Sequence, residues 1–274
     1  MRKSKAIFSA IVVFAVLVVP VRFFAYDTSP SDMQIAPEVI WAYATGGGTW
    51  QTEVQIYDRT GGSIVEVYFW YMNGGMNYRH VASLWTSPGI HCSAKFSNIL
   101  YTMSLTDTSF TYFGSSGTLQ FYTQDANHKI QVTAKTVNGN YGKTFPGLNW
   151  IDANSANVGR EMMIQNLTNN AAYRTFVGIW NGTSGGWAMT VEFRLINANN
   201  GMIGSAFTKT IQPWNFIAFN PFVEAGVSAG SYDNVFLWIN PTSSGNTAKG
   251  IFCYGSLTNN YTNDSNALFA VQYN

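Results

Sequence analysis

Charge is scarce in this chain. Asp, Glu, Lys and Arg make up 11% of its 274 residues, and the balance leaves a net charge of +1. Globular domains ordinarily carry about 25%. With no basic stripe, electrostatic capture of a nucleic acid has no support. Histidine is nearly as rare. His80, His91 and His128 stand far from one another, and there is no H-E-x-x-H. Zinc needs three or four convergent ligands, so neither a metal nor another cofactor is expected. His91 beside Cys92 is the one suggestive pair, but neighbours on a strand face opposite sides. No G-x-S-x-G elbow occurs, and Gly114-Ser115-Ser116-Gly117 reads as a turn-rich loop. No catalytic residue is assigned.

Only two cysteines are present, Cys92 and Cys253. That is too few for a disulfide scaffold or a metal site. They read as two small buried thiols or, in an exported protein, as a bridge between the halves of the chain.

Long apolar runs are absent after the first twenty residues. Arg2, Lys3 and Lys5 precede an apolar stretch over residues 6–19 that Pro20 closes. This is a secretory leader layout, and the stretch falls short of the ~20 residues a span needs. Phe23-Phe24-Ala25 is a poor cleavage site, so residues 1–25 read as a signal peptide or an uncleaved anchor helix. The anchor is the one membrane contact expected. The protein is expected outside the cytoplasm: extracellular, at the cell surface or periplasmic.

What the chain does have is aromatics, at 16%, and strand-like alternation repeated in two places. Residues 50–57 place Trp50, Thr52, Val54 and Ile56 on one face, with Gln51, Glu53, Gln55 and Tyr57 on the other. A Gly-Gly turn leads to Val65, Val67, Phe69 and Tyr71, which alternate with Glu66, Tyr68 and Trp70. The same pattern returns as Tyr173, Thr175, Val177 and Ile179, then Met189, Val191, Phe193 and Leu195. Further matches follow in order: Pro88 with Pro213, residues 119–122 with 236–239, and residues 137–141 with 257–261. A repeat this long is a duplicated domain rather than a solenoid unit. Each copy offers about seven short strands, the pattern of an antiparallel β-sandwich. The expected layout is a linker over 26–37, one sandwich over 38–148 and a second over 149–274. No helix is expected beyond the leader, save one turn within residues 222–230.

Asn166, Asn181, Asn260 and Asn263 fall in N-x-S/T sequences and read as turn asparagines. Asp125 to Asn127 reads the same way, since Asx side chains cap tight turns.

The hairpins resemble a group of secreted bacterial repeats, largely uncharacterised. Trp50, Thr52, Glu53, Val54, Ile56 and Asp58 carry the resemblance in the first copy. Tyr173, Thr175, Val177, Ile179 and Asn181 carry it in the second, where Phe176 departs from the acidic pattern. Pro88 and Pro213 match a later element. The resemblance implies tandem immunoglobulin-like sandwiches outside the cell and supplies no catalytic residues.

If residues 50–57 and 65–71 pair as a hairpin, Gln51, Glu53, Tyr57, Tyr68 and Trp70 share an outer face that suits a sugar: rings stack on C–H faces and amides bond hydroxyls. Glu53 and Glu66 would then be diagonal neighbours, the spacing a glycan hydrolase would use. In the second copy Arg174, Phe176, Trp180 and Arg194 suit an interface. The leading expectation is an exported, non-catalytic surface, matrix or adhesion module that binds a macromolecule. A carbohydrate-binding module is the first alternative and a glycan hydrolase the last.

Overall fold

Apolar residues at every second position are buried when sheets lie face to face, and the described strands are arranged that way. The computed structural model describes residues 29–44, 47–73, 76–86, 92–125, 127–139, 141–149, 161–182, 188–227, 230–243, 251–262 and 265–272. The leader lies outside them. The first lobe runs β1 (Met33–Tyr43), β2 (Thr49–Asp58), β3 (Ile64–Asn73), β4 (Met76–Trp85), β5 (Cys92–Phe96), α1 (Ile99–Thr106), β6 (Ser115–Thr123), β7 (Ile130–Asn138), β8 (Tyr141–Pro146) and β9 (Leu148–Asn149). The second lobe runs β10 (Met162–Asn169), β11 (Tyr173–Asn181), β12 (Met189–Ile196), β13 (Met202–Ile211), β14 (Phe216–Phe219), α2 (Pro221–Glu224), β15 (Tyr232–Ser243), β16 (Ile251–Asn259), β17 (Ser265–Phe269) and β18 (Val271–Gln272).

All pairing between these strands is antiparallel. In the first lobe β4-β3-β6-β1 form one layer, with β9 on β1, and β5 and β7 flank β2 in the other, with β8 beyond β7. The end of β1 joins the layers by pairing Trp41 with Gln51 and Tyr43 with Thr49. In the second lobe β13-β12-β15-β10-β18 form one sheet and β14-β11-β16-β17 the other. Taken strand by strand, the pairing order of the first nine strands recurs in the second nine, except that β10 and β11, in separate sheets, do not repeat the β1–β2 pairing.

The hairpin expected between residues 50–57 and 65–71 does not form. β2 pairs with β5 and β7, whereas β3 pairs with β4 and β6. β11 and β12 likewise belong to different sheets. The inward faces are nonetheless largely those the alternation marks, although Tyr173, expected inward, is exposed and Trp50 is only half-buried. Val54 and Ile56 meet Val65, Val67 and Phe69 in one buried cluster, because the layers stack face to face across the lobe. Full burial of each large apolar side chain contributes about 2 kcal/mol relative to exposure. The turn between β2 and β3 is a five-residue arch rather than a tight hairpin loop. Asp58, fully buried at its start, accepts bonds from the Thr60 and Gly61 amides, both at 3.0 Å, and from the Thr86 hydroxyl at 2.9 Å.

Four further expectations are corrected. β1 begins at Met33, inside the stretch read as linker, and buries Ile35 and Ala36. Pro37 sits where the β1–β6 register shifts between Ala36 and Val39, a bulge at which its missing N–H breaks no ladder bond. Ser115 to Gly117, read as loop, open β6. A helix, α1, occupies Ile99–Thr106; Asn98 caps it by accepting from the Tyr101 amide, and Ile99, Leu100 and Met103 are buried. Eight residues are too few to display a 3.6-residue period. Each lobe also has more than the seven strands expected, because pairs such as Leu148–Asn149 are too short to alternate visibly.

The second core does not stop at the lobe boundary. Ile35, Phe145 and Leu148, from strands of the first lobe, belong to the same buried cluster as Val177, Phe193 and Phe252. Phe145 meets the Tyr254 ring edge-on at 5.0 Å.

Candidate functional site

The outward residues of β3 and β6 stand side by side, since Glu66 is opposite Tyr122 and Tyr68 opposite Gln120. Trp70 faces Arg79 across the β3–β4 ladder. The Arg79 guanidinium lies 5.2 Å from the centre of the Tyr68 ring and 5.7 Å from that of Trp70, a cation over two electron-rich faces. From the second lobe, Trp214 stacks on Trp70 with centroids 4.8 Å apart and planes 15° apart. Met33, Gln120 and Tyr122 complete a concavity of about 340 Å³.

Trp214 reaches this place at a conformational cost. Its φ of +60° is left-handed, which a bulky residue adopts only when its surroundings force it. The turn between β13 and β14 does so: the Trp214 amide donates to the Asn181 carbonyl, and the Asn215 amide to the Gln212 carbonyl.

The polar groups of the patch are fixed by one another. The Trp70 indole N–H donates to Gln120 Oε1 at 3.1 Å, and Gln124 donates to Glu66 at 2.8 Å. The Tyr68 hydroxyl donates to the other Glu66 oxygen. These bonds, Tyr68 first and then Gln124, hold the Glu66 carboxyl below its usual range, and the same Glu66 contact raises the Tyr68 phenol. The patch therefore presents aromatic faces, one cation and an ionised carboxylate at fixed positions.

The structure brings Tyr68 and Trp70 together and leaves Gln51, Glu53 and Tyr57 on β2, in the other layer. Glu53 lies 3.7 Å from Lys95, and Glu53 and Glu66 are not neighbours, so the carboxylate pair considered for glycan hydrolysis does not form. Of the second-copy residues, Arg174 and Phe176 line a concavity shared with Glu38 and Trp50 of the first lobe. Trp180, expected on an outer face, is fully buried: the Trp214 turn covers it, with ring centroids 5.9 Å apart. Arg194 is elsewhere, on β12, bonded to Glu192 at 2.8 Å with its guanidinium 4.7 Å from the Trp238 ring centre. Cys253 is buried on β16, where burial pushes its thiol up. The Cys92 side chain lies outside the described residues, and the bridge between the two with it. His91 and Asn263 lie outside them too.

Sequence reasoning missed Arg79, Gln120, Tyr122 and Trp214. Gln120 and Tyr122 alternate with buried Leu119 and Phe121, so their outward face was signalled. Nothing local pointed Trp214 at Trp70. Another cluster also escaped notice: His80 Nδ1 contacts Asp107, which further accepts from Tyr112 at 3.2 Å. The Ser109 hydroxyl, against the opposing effect of burial and together with His80, lowers the Asp107 carboxyl to about 2. Among the described residues no three His, Cys, Asp or Glu side chains are grouped to hold a metal, and no helix is long and apolar enough to cross a membrane. No protein-family model matches the chain, and no curated protein is similar to it in sequence.

Proposed function

We propose that the chain is an exported, non-catalytic surface or matrix module made of two duplicated immunoglobulin-like sandwiches. The observation that carries the reading is the recurrence of one pairing order: β4-β3-β6-β1 answers to β13-β12-β15-β10, and β5-β2-β7-β8 to β14-β11-β16-β17. Two unrelated nine-strand arrangements have little reason to agree so closely, the β1–β2 pairing being the one departure, so head-to-tail copying is the simpler origin. The basic, apolar leader and the low charge support export. Fusing residues 1–37 to alkaline phosphatase, an enzyme active only after export, tests it. We expect activity in a bacterial host; an inactive fusion held in the cytoplasm contradicts the proposal.

A second reading, carbohydrate binding, is favoured by one observation: Tyr68, Trp70, Arg79 and Trp214 converge on one concavity. Aromatic faces with polar neighbours are the usual layout for stacking a sugar ring. In pull-down with insoluble polysaccharides, Arg79→Ala is expected to reduce retention by about tenfold, the loss of one strong contact. Equal retention of variant and wild type would remove sugar from this patch.

A further inference from the structure

A second concavity, of about 220 Å³, lies between the lobes. The first lobe contributes Glu38, Trp50 and Lys143, and the second Arg174, Phe176 and Tyr254. Its charges are held in place by bonds within each lobe and across the seam. Lys143 Nζ lies 2.6 Å from Glu38 and 3.3 Å from the Ser256 hydroxyl, and the Tyr254 hydroxyl donates to Glu38. Arg174 donates to Asn260 at 2.8 Å. The wall thus carries both signs of charge within a narrow, partly desolvated space.

That arrangement selects against ions. Glu38, Lys143 and Arg174 are already bonded to one another or to Tyr254, Ser256 and Asn260, so an entering ion must displace one of these bonds and loses hydration on the way in. A neutral polyol meets the wall differently, since each of its hydroxyls both donates and accepts. Trp50, half-buried, and Phe176, exposed, add aromatic lining against which C–H groups can pack. The volume is below the roughly 300–1,000 Å³ of sites for larger ligands. We propose that this cleft binds a single neutral sugar ring, the end or a side branch of a longer glycan, and so clamps the two lobes together. The inference does not depend on sugar binding at the Trp70 patch.

Calorimetry on the full chain tests it, with methyl glycosides of glucose, galactose, mannose and N-acetylglucosamine as probes and galacturonate and glucosamine as charged controls. At least one neutral glycoside is expected to bind with Kd about 1 mM, and about tenfold tighter than either control. Trp50→Ala and Phe176→Ala are each expected to weaken it by about tenfold. Phe176 is 42% exposed, so its removal leaves the fold intact, and thermal melting of each variant checks this. Trp70→Ala should change the affinity by less than about twofold. The proposal fails if no neutral glycoside binds at about 50 mM, or if a charged control binds more tightly. It also fails if Trp70→Ala abolishes binding that Trp50→Ala leaves alone; that last result would place the sugar on the other patch.

Discussion

Asp58→Ala is expected to destabilise the protein by about 3 kcal/mol, because the side chain organises the arch that carries the chain from one layer of the first lobe to the other. The carboxylate is fully buried and accepts from the amides of Thr60, Gly61 and Ser63 and from the hydroxyls of Thr60 and Thr86. Removing it leaves the Ser63 amide and the Thr86 hydroxyl, in residues 4% and 1% exposed, with only each other's groups as partners, the hydroxyl turning to the Ser63 carbonyl at 3.1 Å. Those two keep a bond to each other at 2.8 Å, which limits the loss. Burial alone would raise the carboxyl; the bonds from Ser63, Thr60, Gly61 and Thr86 outweigh it and hold the group well below the ordinary carboxylate range. A depressed folded-state pKa stabilises fully above the unfolded value of ~3.9, and the contribution is lost as pH falls below it. Asp58→Asn keeps the shape but cannot titrate. In urea unfolding followed by tryptophan fluorescence, the gap between wild type and Asp58→Asn should be widest near neutral pH and narrow progressively below about pH 5, with part of it remaining at about pH 2 because the folded-state carboxyl still resists protonation there. A gap that stays constant over that range would show that Asp58 acts through shape alone.

The same arch marks the limit of what alternation reveals. Val54, Ile56, Val65, Val67 and Phe69 are recognisable as core residues from their period of two, and all are fully or almost fully buried. That period is identical whether two strands lie edge to edge in a hairpin or face to face in a sandwich. The inward residues were therefore legible and the pairing was not, and the outer-face group of Gln51, Glu53, Tyr57, Tyr68 and Trp70 came apart with it. What separates the alternatives is the connection, where a buried acid followed by Thr60, Gly61 and Ser63 builds a wide arch. Pro37 misled for a related reason, since a proline at a bulge looks locally like a strand end. The inter-lobe concavities had no sequence signal, because Glu38, Lys143 and Tyr254 are neighbours only after both lobes have formed.

Gly178→Ala should be the most damaging small change in the second lobe, at about 3 kcal/mol. Gly178 pairs with Tyr254 across the β11–β16 ladder, and a Cβ there would lie 2.3 Å from Tyr254 Cζ and 2.4 Å from its hydroxyl oxygen. Phe145 blocks one side of the ring, so a displaced ring must intrude on the inter-lobe concavity that Gly178 and Tyr254 both line. Displacing it breaks the hydroxyl's bond to Glu38 and so loosens the contact between lobes. Tyr254→Phe removes only that bond and is expected to cost about 1–2 kcal/mol. The two effects share one cause, so the cycle should be strongly non-additive: Gly178→Ala made in a Tyr254→Ala background is expected to cost less than about 1 kcal/mol. Additive costs would mean that the methyl group strains the strand itself rather than the ring. Burial, then Glu38, raises the Tyr254 phenol well above its ordinary value of ~10, so its contribution is intact below that pH and is lost as pH rises above it. Alkaline unfolding should accordingly begin at lower pH in Gly178→Ala than in wild type, and an unchanged midpoint would show that the ring has kept its seat.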